Sequence, residues 1–209
     1  MPPTMAERVR ALRPPFPSRR LELRWPSARL NEQVVRFAND PSVARWTLHI
    51  PSPYTVADAA EFVRRARASR RTARSLSLQI VRRRDGALLG GIGLHALDLP
   101  TGTAEIGYFV GREFRRQGYA TEAVGTLVRV AFRELGLHRI EAHVFAGNTR
   151  SAGVLRRSGF RREGRLRARV RKDGRWVDEV VYARLRSDTG AAAVGRPSSG
   201  SRRSPPRTR

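Results

Sequence analysis

The chain has no cysteine, which excludes disulfides, thiolate metal sites and a cysteine nucleophile. Lysine is nearly absent too: Lys172 is the single one, although Lys and Arg together number 42 of 209 residues. No apolar run approaches the ~18 residues of a spanning helix, so no membrane segment is expected. Residues 1–20 carry Arg and Pro without an apolar stretch of signal-peptide kind, so no secretory leader is expected either. Acidic residues number only 18, which leaves a formal net charge of +24. These absences describe a soluble, cytoplasmic protein, with length for one domain of about 150 residues plus extensions.

Such a charge suits nucleic acid, ribosomes, anionic membranes or a phosphorylated ligand. Codon bias is the competing explanation, because Arg replaces Lys nearly everywhere. Composition does not separate the two; residues arranged around an anion would.

The ends differ from the middle. Residues 1–19 read as a flexible Pro/Arg-rich extension with weak helical character around Ala6–Leu12. Residues 187–209 read as a disordered basic tail, since the stretch from Gly190 has no acid and no aromatic residue with which to build a core. Residues 20–186 alternate between helical and strand patterns. Leu21, Leu23 and Trp25 predict a strand; Ser27 caps a helix to about Ala38. Asn39-Asp40-Pro41 breaks it, with a helical turn expected at Val43–Trp46. Thr55 and Asp58 approximate a capping box for a helix to about Ala73. Strands follow at 76–80, 87–94 and 103–110, the second with Gly90, Gly91 and Gly93 marking a bulge or a close approach. A helix from Tyr119 to Leu135 ends at Gly136. Then come a strand at 139–145, a helix at 149–158 and a hairpin turning at Lys172-Asp173-Gly174. The fold class is α+β: one domain with a mixed, mostly antiparallel sheet, flanking helices and a strand–helix–strand crossover over 103–145 that makes its strands parallel neighbours.

The crossover carries the most informative stretch. A strand ends, a short loop holds Arg115, Arg116, Gln117 and Gly118, and a helix begins at Tyr119. Small residues at Gly118 and Ala120 admit close backbone approach, and the free N–H groups of a helix start bind phosphate. The spacing fits neither a Walker motif nor the dinucleotide G-x-G-x-x-G.

Arg115-x-x-Gly118-x-Ala120 resembles the Q/R-x-x-G-x-G/A motif of the GCN5-related N-acetyltransferases (GNAT), and the chain is similar to their RimJ/RimL-type branch. Further segments match in order: Asn39-Asp40-Pro41 with Val43, Leu89 to Leu94, Ala104 to Tyr108, Gly118 to Ala123, and Asn148-x-x-Ser151-x-x-Val154-Leu155 with Gly159-Phe160. Glu163-Gly164 and the closing Asp178…Tyr182 strand complete the set, so the resemblance covers about residues 20–186. It implies acetyl-CoA as co-substrate, with no permanently bound cofactor and no metal, and a primary amine as acceptor. It also implies that strands 103–110 and 139–145 splay apart around the pantetheine. Phe109 and Val110 would hold its amides and the acetyl carbonyl by their backbone. Arg115 and the amides of Arg116, Gln117, Gly118, Tyr119, Ala120 and Thr121 would hold the pyrophosphate. Asn148 would bond the pantetheine, Ser151 would donate to the CoA sulfur, and Arg156 would reach the 3′-phosphate.

Amine acetylation needs a neutral amine, a polarised thioester and a proton for the leaving thiolate, and an alkyl ammonium holds its proton to a pKa of about 10.4. Glu105 is the first candidate for the base; an ordinary strand carboxylate paired with arginine is the alternative. His143, His95 and Tyr182 are weaker candidates with structural readings beside them. The acceptor is expected to be a protein N-terminus or a small molecule, with weak ribosome or RNA association through the basic surface as a further expectation. The competing class is a catalytically inactive GNAT-fold protein that senses CoA or binds nucleic acid.

Overall fold

The structure, a computed structural model, describes residues 3–48, 50–98 and 100–189. Helix α1 (Met5–Ala11) precedes strands β1 (Phe16–Pro17) and β2 (Leu21–Arg24). A 3-10 turn at Ala28–Leu30 leads into α2 (Asn31–Ala38), then α3 (Pro41–Ala44) and α4 (Val56–Thr72). Strands β3 (Leu76–Arg82), β4 (Leu88–Asp98) and β5 (Thr103–Val110) follow. Next come α5 (Tyr119–Val130), extended by a π turn at Ala131–Leu135, β6 (Arg139–Phe145) and α6 (Thr149–Arg157). The hairpin of β7 (Arg161–Lys172) and β8 (Arg175–Leu185) closes the domain.

The strands form one sheet in the order β1-β2-β3-β4-β5-β6-β8-β7. All pairs are antiparallel except β5–β6, which is parallel as the crossover requires. The expected elements fall where the patterns put them, with two shifts of detail. Ser27 caps the 3-10 turn, and the helix proper starts at Asn31. Strand β4 runs on to Asp98, past a left-handed Ala96. The Thr55–Asp58 capping box is complete, with both reciprocal bonds made.

Period-two alternation in β5 sends Ala104, Ile106 and Val110 to one face. There they meet Ala123, Val124 and Leu127 of α5 and Leu155 of α6 in the main core. Helices α2 and α4 cover the other face through Val34, Phe37 and Ala59, packed on Val81 and Leu88 with Phe109 beside them. The face under α5 is sealed; the other face is left open around Gly91, Gly93 and Gly107, where an open cleft of about 1940 Å³ lies.

The N-terminal extension is corrected by the structure. Rather than a flexible segment outside the domain, residues 5–17 are built into it: Val9, Leu12 and Phe16 are buried in the main core, and Phe16 pairs with Leu23. Three apolar residues at helical spacing outweigh a Pro/Arg-rich composition once α5 and β2 offer them a surface. Of the tail expected from 187, a 3-10 turn at Arg186–Thr189 is described, and residues 190–209 lie outside the described residues.

Glu122 ties this segment to α5. Its carboxylate accepts from Ser18 Oγ (2.8 Å), the Arg20 backbone N–H (2.6 Å) and Arg20 Nε (2.7 Å). Burial works to raise its pKa, but these donors outweigh burial and hold it below the ordinary 4.5. A carboxyl depressed on folding stabilises above its unfolded pKa, and that stability is lost as pH falls through the folded value. Glu122→Gln is expected to cost about 2 kcal/mol in urea unfolding at neutral pH. The difference from wild type should shrink as the pH drops below 4.5, and a difference independent of pH would contradict the assignment.

Candidate active site

Strands β5 and β6 pair only at Thr103–Arg139, Ala104–Ile140 and Glu105–Glu141. Past that point each strand keeps only its outer neighbour. Gly111 N–H donates to Leu89 O at 2.9 Å, and β4–β5 register is unbroken from Glu105 to Val110. By antiparallel alternation Glu105, Gly107 and Phe109 bond β4, while Tyr108 and Val110 turn their backbone N–H groups to the gap. On the far side, Ala146 N–H donates to Asp178 O, so Val144 and Ala142 bond β8 while His143 and Phe145 face the gap. Two strands thus present unpaired peptide groups to each other across an opening wedge. An extended chain carrying amides would complete the sheet there. Phe109, expected to serve the pantetheine by its backbone, is committed to β4, and the Tyr108 N–H faces the gap beside it. The Phe109 carbonyl oxygen comes so near Gly90 that a Cβ on that glycine would stand 2.1 Å from it, which explains why glycine is required there.

The gap leads to the start of α5. Arg116 (φ 62°) and Gly118 (φ 79°) are both left-handed, two such residues within three. This curls the loop so that successive N–H groups converge, forming an anion nest. Gly118 caps α5 with no side-chain bond, and intrahelical bonding begins with Glu122 N–H donating to Gly118 O at 3.0 Å. The amides before it are the orphan donors of a helix start. Arg116, Gly118, Tyr119, Ala120 and Thr121 line the cleft. Gln117 does not; its Nε2 donates to Glu113 O at 3.0 Å.

Arg115 lines the cleft, but its guanidinium is engaged elsewhere. Nε donates to Val110 O (2.9 Å), Nη1 donates to Ser42 Oγ (2.6 Å), and Nη2 lies 3.6 Å from Asp40 Oδ2. Asp40 in turn caps α3 through the Ser42 N–H. In place of the expected side-chain contact with phosphate, Arg115 ties the phosphate loop to the end of β5 and to α3. Arg20 braces the outside of the loop, donating to Gln117 O at 2.9 Å with its guanidinium 4.4 Å over the Tyr119 ring.

Ser151 sits in the first turn of α6, and Asn148 caps that helix by accepting the Ser151 N–H at 3.1 Å. Ser151 Oγ lies 2.9 Å from the Tyr108 hydroxyl, which also donates to Ser151 O at 3.2 Å. Burial pushes Tyr108 up to about 12, against the opposing effect of the Ser151 hydrogen bond, so its hydroxyl stays protonated at neutral pH. The sequence does not single out Tyr108, because its even position in β5 is shared with core residues. Arg156 is exposed and does not line the cleft, whereas Arg150, Gly153, Val154 and Arg157 do. Positions 150, 153, 154 and 157 share one helical face, a period that sets Arg157 apart from its neighbour.

The opposite face of the sheet holds the other titratable groups. Glu105 is half-buried and lines the cleft with His95 and His143. The His95 ring lies across the Gly93–Gly107 pair, 3.3 to 3.4 Å from where their Cβ atoms would be. His143 Nδ1 is 3.1 Å from Glu179 Oε2, a buried carboxylate, and its Nε2 is 3.6 Å from Glu141 Oε2. Tyr182 is a core residue on the α5 side and takes no part. Among the described residues no group of His, Asp and Glu could hold a metal ion.

A gap edged by free peptide groups, with an anion nest at its end and a hydroxyl pair beside it, suits an extended ligand that carries amides and ends in a phosphate. Residues 20–161 match the acetyltransferase (GNAT) domain. The Bacillus licheniformis protein called Uncharacterized N-acetyltransferase p20 is 30% identical over 170 residues, 81% of this chain and 94% of that one. The ribosomal protein uS5-alanine N-acetyltransferase of Escherichia coli K12 is 35% identical over 78 residues, 37% of this chain and 40% of its own. Mycobacterium smegmatis RimJ in complex with CoA-disulfide superposes with a TM-score of 0.73 at 27% identity, over 82% of this chain and 88% of that chain. The chain belongs to the GNAT acetyltransferase family, with homologues of the RimJ/RimL kind in sequence and in fold. It is an N-acetyltransferase with acetyl-CoA as co-substrate.

Arg115→Ala removes the strut that fixes the nest while leaving every backbone donor in place. Its CoA affinity should fall about tenfold by calorimetry, the weight of one charged hydrogen-bond set. An unchanged affinity would show that the loop holds its shape without the strut.

Proposed function

We propose that the protein acetylates the α-amine of a polypeptide N-terminus by direct attack in a ternary complex. The observation that carries this is the division of the site by the sheet. Ser151 and Tyr108 stand on the α6 side of the gap, and Glu105 stands on the open face. Thiol and amine thus approach the reacting carbon from opposite sides, each with its own proton-transfer group. The uS5-alanine N-acetyltransferase of Escherichia coli supports a protein acceptor. No helix among the described residues is long and apolar enough to cross a membrane. The cytoplasm, where ribosomes and acetyl-CoA meet, is the proposed setting.

The Tyr108 and Val110 N–H groups hold the pantetheine and the acetyl carbonyl, and the one nearest the carbonyl oxygen stabilises its developing charge. Glu105 takes a proton from the acceptor ammonium, directly or through water, so that the nitrogen lone pair is free to attack. The new C–N bond forms, the C–S bond breaks, and Ser151 Oγ gives its proton to the leaving thiolate. Tyr108 aligns that hydroxyl and can replace its proton. Arg116, Arg150 and Arg157 supply positive charge along the phosphate end, where Arg150 and Arg157 take the place expected for Arg156.

Thiol release from acetyl-CoA over a panel of N-terminal peptides and small amines tests the reading. Turnover confined to small amines would contradict a protein acceptor. Ser151→Ala should lower kcat roughly 10²-fold with little change in the KM for acetyl-CoA. Glu105→Gln should lower the rate most at low pH, and a near-wild-type rate at all pH values would remove Glu105 as the base.

A further inference from the structure

One device on the open face takes no part in the transfer chemistry. Strand β7 bulges against β8: Leu166 pairs with Glu179 and Val170 with Val177, so Arg167, Ala168 and Arg169 together oppose the single residue Asp178. The bulge is held from within. Asp178 Oδ1 accepts the Ala168 N–H at 2.7 Å, and Oδ2 accepts Arg165 Nε at 2.7 Å. Ala168 adopts φ 48°, a left-handed conformation that a residue with a Cβ keeps only when its surroundings impose it.

The bulge changes where one cation goes. Leu166 and Val170 share the cleft face by register, so period-two alternation would turn Arg169 to the far side. Instead Arg169 lines the cleft together with Val170. Re-aiming a side chain beside an active site is what bulges do. Arg169 is exposed and makes no hydrogen bond or ion pair with the described residues. Across the cleft α4 presents the exposed Arg65, with the Glu61 carboxylate at 3.4 Å and the Asp58 charge also acting on it. Lys172 Nζ donates to Thr47 O at 2.9 Å, tying the hairpin to the segment between α3 and α4 that forms the cleft rim. Nearer the sheet the groups change sign, with Glu105 and Glu179 on the same open face.

We propose that Arg169, seconded by Arg65, selects acceptors that carry a carboxylate side chain shortly after the acetylated residue. The ammonium of such a peptide is drawn to the carboxylates of the sheet, and its acidic side chain meets the arginines of the rim. This reading rests on the proposed polypeptide acceptor and narrows it to acidic N-termini.

The test compares peptides with the same N-terminal residue followed by Glu, Gln or Lys, using the full-length protein and thiol release as the readout. At low salt kcat/KM for the Glu series should exceed that for the Gln series about fivefold, an exposed ion pair's worth, and the Lys series should be poorest. The Glu-to-Gln ratio should approach one in Arg169→Gln, recover in part in Arg169→Lys, and fall in wild type at about 0.5 M salt. Asp178→Ala, which frees the bulge, should lower the ratio as well. Equal rates on Glu and Gln peptides would overturn the inference while leaving the N-acetyltransferase reading intact. A ratio that survives in the Arg65→Gln, Arg169→Gln double variant would overturn it too. No turnover on any peptide would overturn the polypeptide reading itself. If single-stranded RNA inhibits wild type but not Arg169→Gln, and peptide acidity is without effect, the rim serves nucleic acid and the inference fails.

Discussion

Everything in the site follows from the place where β5 and β6 stop pairing. Three residue pairs, ending at Glu105–Glu141, hold the strands together. Beyond them β5 stays with β4 and β6 stays with β8. Peptide groups stripped of a partner must bond water or a ligand, so the wedge is a site before any side chain is considered. What keeps it open is local. The Val110 carbonyl is taken by Arg115, and the Tyr108 side chain reaches across to α6 at Ser151. The sheet is one layer with a slit in it, helices α5 and α6 closing one face and an open cleft on the other. That asymmetry leaves separate sides for the thiol and the amine, as the proposed transfer within a ternary complex needs.

The charge that dominates the composition divides into distinct uses. Arginines brace the phosphate loop: Arg115 from within, Arg20 from outside through Gln117 O, Glu122 and Tyr119. Others line the cleft at its phosphate end, and Arg169 stands at its rim. Several do structural work against the few acids, as Arg139 does with Glu141 and Glu163. The surplus that remains stands on exposed faces, as solvated arginines in place of lysine would.

Sequence periodicity made the sheet, the crossover and the phosphate loop legible, because each rests on local rules: alternation in β5, Gly118 before α5, Asn148 capping α6. The matched motifs then pointed to acetyl-CoA. What stayed hidden depends on contacts distant in sequence. Tyr108 looks like any core residue until α6 brings Ser151 to its hydroxyl. Arg115 looks like a phosphate ligand until Asp40 and Ser42, far earlier in the chain, are seen beside it. Residues 5–17 look like an extension because Pro and Arg outnumber Val9, Leu12 and Phe16, and only the assembled core shows that three apolar contacts decide. Arg169 is invisible to alternation because a bulge breaks the alternation. Arg157 rather than Arg156 lines the cleft because it shares a helical face with Arg150 and Val154, a spacing that is already present in the sequence.

If the slit between β5 and β6 receives the pantetheine of acetyl-CoA, binding must cover the amides that edge it. Amide hydrogen exchange at single-residue resolution, measured by NMR with and without CoA, tests it most directly. Strong slowing is expected at the Tyr108 and Val110 amides and through the start of α5 from Arg116 to Thr121, with the β4–β5 ladder little changed. Saturating CoA that leaves the Tyr108 and Val110 amides exchanging as fast as in the free protein would contradict it.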